Sequence, residues 1–246
     1  MNRPGLRRSA LAGISTTVAY TLTLAILWPS IFRMGASYLA GTLAVCIVGG
    51  LMALWRLERH HPHSTIGAAN HITLARGALI ALLGGLATGR AADTRQIEVA
   101  TGIAALALLL DGVDGWLARR YRTSSEFGAR FDMESDALLI LILSILTWQL
   151  GKAGSWVLLS GLLRYIFVLA CMGLPELRRP LPASRRRKSI AVIQAIALIC
   201  AIAPVVARGA SAAVAATALL LLVASFLIDI VWLLQQRRVP FPGNQG

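Results

Sequence analysis

Residues 111–136, DGVDGWLARRYRTSSEFGARFDMESD, join two strongly apolar stretches and contain six of the eleven acidic residues of the chain. The chain has 246 residues, of which 57% are hydrophobic and 14% charged, and its mean hydropathy is +0.68. Soluble domains are usually about half apolar and about a quarter charged. The composition therefore predicts a protein of the lipid bilayer.

Apolar segments of roughly 18–25 residues recur along the chain, each long enough to cross a bilayer as a helix. They lack the period-2 alternation of barrel strands, so we interpret them as helices. The predicted fold is an all-α polytopic membrane protein with eight spans, at 9–32, 37–55, 68–87, 98–118, 132–150, 155–174, 189–206 and 211–236.

A hydrophilic stretch, RLERHHPHSTIG at 56–67, separates the first two spans from the remaining six. We therefore predict an N-terminal extension at 1–67 with two transmembrane helices, a six-helix transmembrane domain at 68–236 and a cytoplasmic tail at 237–246.

The net charge of +13 is distributed unevenly over the loops. Seventeen of the 24 Lys and Arg residues fall in the termini and loops of one side and five on the other, with Arg76 and Arg164 inside spans. Cytoplasmic loops are enriched in basic residues, so both termini are predicted to be cytoplasmic and no nucleic-acid partner is expected. Two lysines against 22 arginines, in a chain rich in Ala and Leu, indicate a high-GC prokaryote, and the predicted location is therefore the bacterial inner membrane.

Four aspartates are predicted to meet at the cytoplasmic boundary. Asp111 and Asp114 lie three residues apart near the end of one span, and Asp132 and Asp136 lie four apart in the first turns of the next. Residues at these spacings share a helical face. Glu134 lies off that face and is left out, as is Glu126, which is assigned to the loop.

Carboxylates at this depth repel one another and are costly to desolvate, so either they are protonated or a cation joins them. Aspartate oxygens without Cys or His partners favour Mg²⁺ or Mn²⁺, and four aspartates could hold two such ions. Two metals suit phosphoryl chemistry. An acid in the first turn of a helix is also an ordinary dipole partner, which could explain Asp132 but not Asp111 or Asp114.

The segment resembles the signature of the CDP-alcohol phosphotransferase (CDP-alcohol phosphatidyltransferase) family, D-x2-D-G-x2-A-R-x8-G-x3-D-x3-D. All eight fixed positions match: Asp111, Asp114, Gly115, Ala118, Arg119, Gly128, Asp132 and Asp136. The resemblance implies a six-helix transmembrane core, here with two additional N-terminal helices, and a homodimer. It implies transfer of a substituted phosphate from a CDP-linked donor to an alcohol, with release of CMP.

The resemblance also implies roles for individual residues. Asp111, Asp114, Asp132 and Asp136 would bind the metals, and Asp136 would also be the catalytic general base. Gly115, Ala118 and Gly128 would leave room for cytidine and ribose, and Arg119 would hold donor phosphate. Asn70, Thr73 and Arg76 are similar to the family's N-x2-T-x2-R element, which helps to bind CDP. A helix cap with a snorkelling arginine is the alternative.

Two charged groups inside spans, Arg164 and Asp229, need partners. They could bind each other, or Arg164 could face the substrate. Arg185 and Lys188 belong to a basic loop that could contact the acceptor or bind lipid and fix the topology.

The predicted reaction uses CDP-diacylglycerol and a small polar alcohol or its phosphate, in phospholipid biosynthesis. One alternative is the same chemistry with a soluble CDP-alcohol donor and a lipid acceptor. Another is a divalent-cation transporter, which would need acids at several depths of the membrane.

Overall fold

The computed structural model describes residues 15, 18–27, 35–60, 68–89, 93–120, 126–174, 181 and 184–235. Within these ranges the regular structure is helical and there is no strand, which confirms the predicted all-α class for the described residues. The helices are α1 (Val18–Leu27), α2 (Ala36–His60), α3 (Ala68–Thr88), α4 (Thr94–Arg120), α5 (Glu126–Gln149), α6 (Leu159–Gly173), α7 (Arg185–Ile202) and α8 (Arg208–Gln235), and a 3-10 turn (Ser155–Leu158) precedes α6.

Three helical stretches in the described residues are long and apolar enough to cross a bilayer: Thr94–Leu117, Ser155–Gly173 and Arg208–Gln235. The protein is therefore a helical membrane protein. Shorter apolar stretches occur in α1, α2 and α3. In α5 and α7 the first turns carry charged residues, which shortens the apolar part of each helix. The division into six core spans and two additional ones stays a prediction.

The helices around the acidic segment are longer than predicted. α5 begins at Glu126, so the prediction that Glu126 lies in the loop is wrong. α7 begins at Arg185 instead of 189. Glu, Arg and Lys are good helix formers, whereas hydropathy marks only the part of a helix that lies in lipid. The basic residues are therefore the first turn of α7.

The far end of α7 is set by a proline. The predicted span extends to residue 206, but α7 ends at Ile202, two residues before Pro204. A proline disfavours the helical conformation of the residue before it. Lys152 Nζ donates hydrogen bonds to the main-chain oxygens of Ala203, at 3.2 Å, and Val206, and so satisfies carbonyls beyond the helix end.

The hydrophobic core is centred on α5, which packs against α3, α6 and α7, while α3 also packs against α4. Leu83 of α3, Ala104 of α4, Leu143 of α5 and Leu198 of α7 are completely buried there. Burial of such side chains fixes the helices relative to one another. As a result, the acidic ends of α4 and α5 lie beside α3.

Two adjacent glycines let α2 pack closely on α3. A Cβ at Gly84 would lie 2.5 Å from Val45 Cγ2, and one at Gly85 would lie 2.7 Å from the Tyr38 ring. Both distances are shorter than van der Waals contact, so only glycine fits without a shift. α2 is thus in direct contact with a core helix, and the domain boundary at residue 67 stays a prediction.

A third glycine sets the approach of α6 to α5. A Cβ at Gly161 would overlap the main chain of Leu141 and lie 2.8 Å from its Cβ. Gly161→Ala is therefore expected to lower the melting temperature in detergent, because overpacking of this kind costs roughly 1–3 kcal/mol. The matched control is Gly102→Ala on α4, where an added Cβ would meet no atom of a neighbouring element within 4 Å among the described residues. It should be neutral or slightly stabilising, because Ala favours helix over Gly. Equal melting temperatures for the two variants would contradict this packing.

Candidate active site

Three aspartates from α4 and α5 form one cluster. Asp111 comes from the C-terminal part of α4, and Asp132 and Asp136 lie one turn apart on α5. One carboxylate oxygen from each of the three lies within 4.8 Å of the others. The packing of both α4 and α5 on α3 brings these acids together, so three of the four aspartates predicted to meet do so.

Arg76 of α3 lies among the three carboxylates. Its Nη1 donates a hydrogen bond to Asp111 Oδ1, and its Nη2 lies 2.7 Å from Asp132 Oδ1 and 3.5 Å from Asp136 Oδ1. Nη2 also donates to the main-chain oxygen of Asp132 at 3.4 Å. The Arg76 side chain is only 2% exposed. The guanidinium is thus fully inside the protein and acts as a bridge from α3 to both acidic helices.

The cluster carries more negative than positive charge. Three ionised carboxylates around one guanidinium leave a formal charge of −2, and like charges at this distance are costly where solvent is partly excluded. The side chains of Asp132 and Asp136 are each 38% exposed and that of Asp111 is 20% exposed, so a ligand can reach the acids from outside. The arrangement therefore favours binding of a further cation.

The donor set fits a divalent ion such as Mg²⁺ or Mn²⁺. All three groups offer carboxylate oxygens, the ligands that these ions prefer, and the triad includes no nitrogen or sulfur ligand. Asp114 lies on α4, half-buried, outside the triad and with an interaction of its own. The triad alone could hold one ion, and the second predicted ion depends on Asp114.

The predicted donor-binding residues belong to α3, α4 and α5, the helices that also supply Arg76 and the three aspartates. Gly115 of α4 is half-buried. The side-chain environments of the others are outside the described part of the structure, although their helices are described: Asn70, Thr73, Ala118, Arg119 and Gly128. Arg76 is neither a snorkelling side chain nor exposed to solvent, because its guanidinium is held by the triad.

Arg164 of α6 has a partner that the sequence analysis left out. Its Nη2 and Nε donate to the two carboxylate oxygens of Glu134 on α5, at 2.6 and 3.1 Å. Bidentate pairs of this kind are the strongest form of Arg–carboxylate contact. Glu134 lies between Asp132 and Asp136 in sequence but faces α6 instead of the triad. The sequence feature that could have revealed Glu134 is Arg164 itself, because a charged residue inside a predicted span needs a partner of opposite charge.

Asp229 of α8 is bound by the first turn of α7. Arg186 Nη2 donates to Asp229 Oδ1, and Arg187 Nη1 lies 3.3 Å from the same atom. Arg186 Nη1 also donates to the hydroxyl and main-chain oxygens of Ser225, at 3.0 and 2.9 Å. The alternative in which Arg164 and Asp229 bind each other is therefore wrong.

The basic residues of α7 divide into two pairs by exposure. Arg186 and Arg187 are half-buried, whereas Arg185 and Lys188 are exposed. Residues three apart share a face of a helix, so Arg185 and Lys188 form the outward-facing pair. These two are available for a phosphate or a lipid headgroup.

A helical membrane protein with a carboxylate triad suited to a divalent ion is the class that the fold and the site define. The sequence model of the CDP-alcohol phosphatidyltransferase family matches residues 66–231, about two thirds of the chain. The chain therefore belongs to this family and is a transferase, which confirms the resemblance seen in the signature. No curated protein and no solved structure matches the chain. The family couples a CDP-alcohol donor with an alcohol acceptor.

Proposed function

We propose that this protein transfers the phosphatidyl group of CDP-diacylglycerol to the hydroxyl of a small polar alcohol or its phosphate, with release of CMP, in phospholipid biosynthesis. The observation that carries the proposal is the convergence of Asp111 on α4 with Asp132 and Asp136 on α5, within 4.8 Å. In a family of CDP-alcohol phosphatidyltransferases, such a triad is suited to hold metal beside a pyrophosphate.

Asp136 is the proposed general base. Of the three acids it is the most distant from Arg76, at 3.5 Å against 2.7 Å for Asp132, and its side chain is 38% exposed. It is thus the acid least engaged by the internal cation and open to an incoming hydroxyl. A base must reach the proton that it removes within hydrogen-bond distance.

The proposed reaction exchanges one phosphorus–oxygen bond for another. Asp136 accepts the acceptor's hydroxyl proton, and the resulting oxygen attacks the phosphorus that carries the diacylglycerol group. The bond from that phosphorus to the CMP oxygen breaks, and CMP leaves with the electron pair. Arg119, with Arg76, would neutralise charge on the donor phosphates.

Asp111 and Asp132, with Asp136, would hold one divalent ion, and Asp114 would complete the site for a second, either Mg²⁺ or Mn²⁺. Bound there, such ions supply Lewis acid chemistry that stabilises charge on the phosphate oxygens. Gly115, Ala118 and Gly128 would admit the nucleotide, and Asn70 and Thr73 would contact it from α3.

For the acceptor, we propose Arg164 and the outward-facing pair of α7. Arg164 is held by Glu134 on the helix that carries Asp136, so its guanidinium has a fixed position beside the catalytic helix. Arg185 and Lys188 are exposed. An acceptor phosphate or an anionic lipid headgroup could bind to Arg164 or to the pair formed by Arg185 and Lys188.

Donor specificity is the direct test of this proposal. Purified protein in detergent with Mg²⁺ is given CDP-diacylglycerol with a panel of polar alcohols and alcohol phosphates, or soluble CDP-alcohols with diacylglycerol. CMP is quantified and lipid products are identified by mass spectrometry. We expect CMP and a new phospholipid only with CDP-diacylglycerol. CMP only with soluble CDP-alcohols would support the alternative donor, and metal flux into vesicles without CMP would support a transporter.

We further propose a homodimer in a bacterial inner membrane, with both termini and the site at the cytoplasmic face. The distribution of 17 basic residues on one side and five on the other supports this orientation. Reporter fusions at the two termini test it: activity of a periplasm-specific reporter at either end would contradict the proposed topology.

A further inference from the structure

Arg76 occupies the space between the three carboxylates of the triad. It contacts the Oδ1 atoms of Asp111, Asp132 and Asp136, and its side chain is 2% exposed. Its Nε is buried and has no hydrogen-bond partner among the described residues. The two terminal nitrogens of the guanidinium thus have partners, whereas the third nitrogen, Nε, has none among the described residues.

The same carboxylates are the candidate ligands of a divalent ion. An arginine side chain does not lose its proton in proteins, so Arg76 cannot reduce its charge when another cation arrives. A guanidinium and a metal ion in contact with the same oxygens would repel each other strongly in a site with little solvent. Arg76 and a bound ion therefore compete for the triad.

We propose that Arg76 is the internal counter-ion of the metal-free triad and that its guanidinium leaves the carboxylates when a divalent ion binds. The inference rests on the metal site of the proposed function. The exchange replaces one positive charge with two, which changes the formal charge of the triad and its cation from −2 to −1. The displaced guanidinium becomes available to the donor's phosphates.

A consequence follows for the metal-free protein. Without Arg76, three carboxylates would face one another with no cation, which destabilises the metal-free state far more than the metal-bound one. Removing Arg76 should therefore make metal binding tighter, because the ion no longer has to displace a bound guanidinium. A role for Arg76 confined to packing would not predict tighter binding.

The test is calorimetric titration of Mg²⁺ into the full chain in detergent, without substrate. For Arg76→Gln we expect Mg²⁺ to bind at least about tenfold more tightly than for wild type, a change of about 1.4 kcal/mol. Arg76→Lys should lie between the two, because an ammonium is a point charge without the arginine fork. The matched control is Arg208→Gln, which removes an exposed arginine at the start of α8. Arg76→Gln affinity equal to or weaker than wild type would overturn the proposal.

A second measurement uses the unaltered chain and so does not depend on the variants folding. Phenylglyoxal modification of Arg76 is followed by peptide mass spectrometry in the presence of EDTA or of saturating Mg²⁺. We expect Arg76 to be protected without metal and modified with it. If Arg76 is equally protected from phenylglyoxal with EDTA and with Mg²⁺, the guanidinium stays in the triad. That result would overturn the proposed displacement.

Asp111→Asn separates failure of this inference from failure of the proposed function. If Mg²⁺ binds neither wild type nor Asp111→Asn, the metal site of the proposed function falls, and this inference falls with it. If wild type binds Mg²⁺, Asp111→Asn binds it weakly, and Arg76→Gln gains no affinity, the inference alone is overturned.

Discussion

CMP release by Asp136→Asn is expected to fall by about 10²–10⁴-fold, the usual contribution of a positioned general base. The amide keeps the shape of the side chain but cannot take the proton of the acceptor hydroxyl. Loss of one negative charge also weakens metal binding at the triad, which adds to the effect. The measurement is CMP formed from CDP-diacylglycerol under saturating Mg²⁺, so that weaker metal binding contributes as little as possible.

The control for this prediction is Glu98→Gln, which makes the corresponding change at an exposed acid near the start of α4. It should release CMP at the wild-type rate, because it lies at the opposite end of α4 from Asp111. Asp136→Asn activity within a few-fold of wild type would remove Asp136 from the mechanism and leave the base unassigned.

Removal of divalent ions is the second prediction with a large expected effect. Dialysis against EDTA should reduce CMP release on the order of 10³-fold or more, because bound metal contributes several kcal/mol of charge stabilisation in such reactions. Mg²⁺ or Mn²⁺ added back should restore it. The triad lies on two helices that remain packed against α3, so the site should re-form when metal returns.

The metal-free protein should remain folded during this experiment. Arg76 neutralises part of the triad's charge in the absence of metal, and α3, α4 and α5 share a buried core. The melting temperature in EDTA therefore separates loss of metal from loss of fold. Full activity in EDTA would contradict a metal-dependent mechanism, and irreversible unfolding in EDTA would show that the metal is needed for folding.

The triad was predictable because helix geometry relates Asp132 to Asp136, and the polarity of the two spans brings Asp111 to the same side of the membrane. Asp132 and Asp136 share a face at a spacing of four, and the apolar runs fix the direction in which α4 and α5 cross the membrane. The position of Asp114 relative to the triad was not predictable. Residues three apart on a helix point in somewhat different directions, so whether Asp114 also faces the triad depends on how α4 packs.

The acidic partners of three arginines could not be predicted from the sequence, for a different reason. Arg76, Arg164 and Arg186 each bind an acid on another helix, at separations of 30 residues or more. A charge inside a membrane span indicates that a partner is needed. Which acid supplies it depends on helix packing and on long side chains that can reach several positions.

The predicted starts of α5 and α7 lie several residues after the observed ones, for a related reason. Hydropathy identifies apolar runs, whereas Glu126 and Arg185, at which the two helices begin, are charged. This difference has a functional consequence, because the basic residues are then fixed on α7 instead of lying in a loop. Arg186 and Arg187 contact Asp229 Oδ1 from the first turn of this helix.

The central claim is that Asp111, Asp132 and Asp136 bind a divalent ion together. An anomalous difference map of crystals grown with Mn²⁺, recorded near the manganese absorption edge, tests it most directly. The account predicts a peak bounded by these three carboxylates, with the Arg76 guanidinium withdrawn from them. Peaks found only away from these three carboxylates, or no peak between α4 and α5 in crystals whose protein turns over with Mn²⁺, would contradict it.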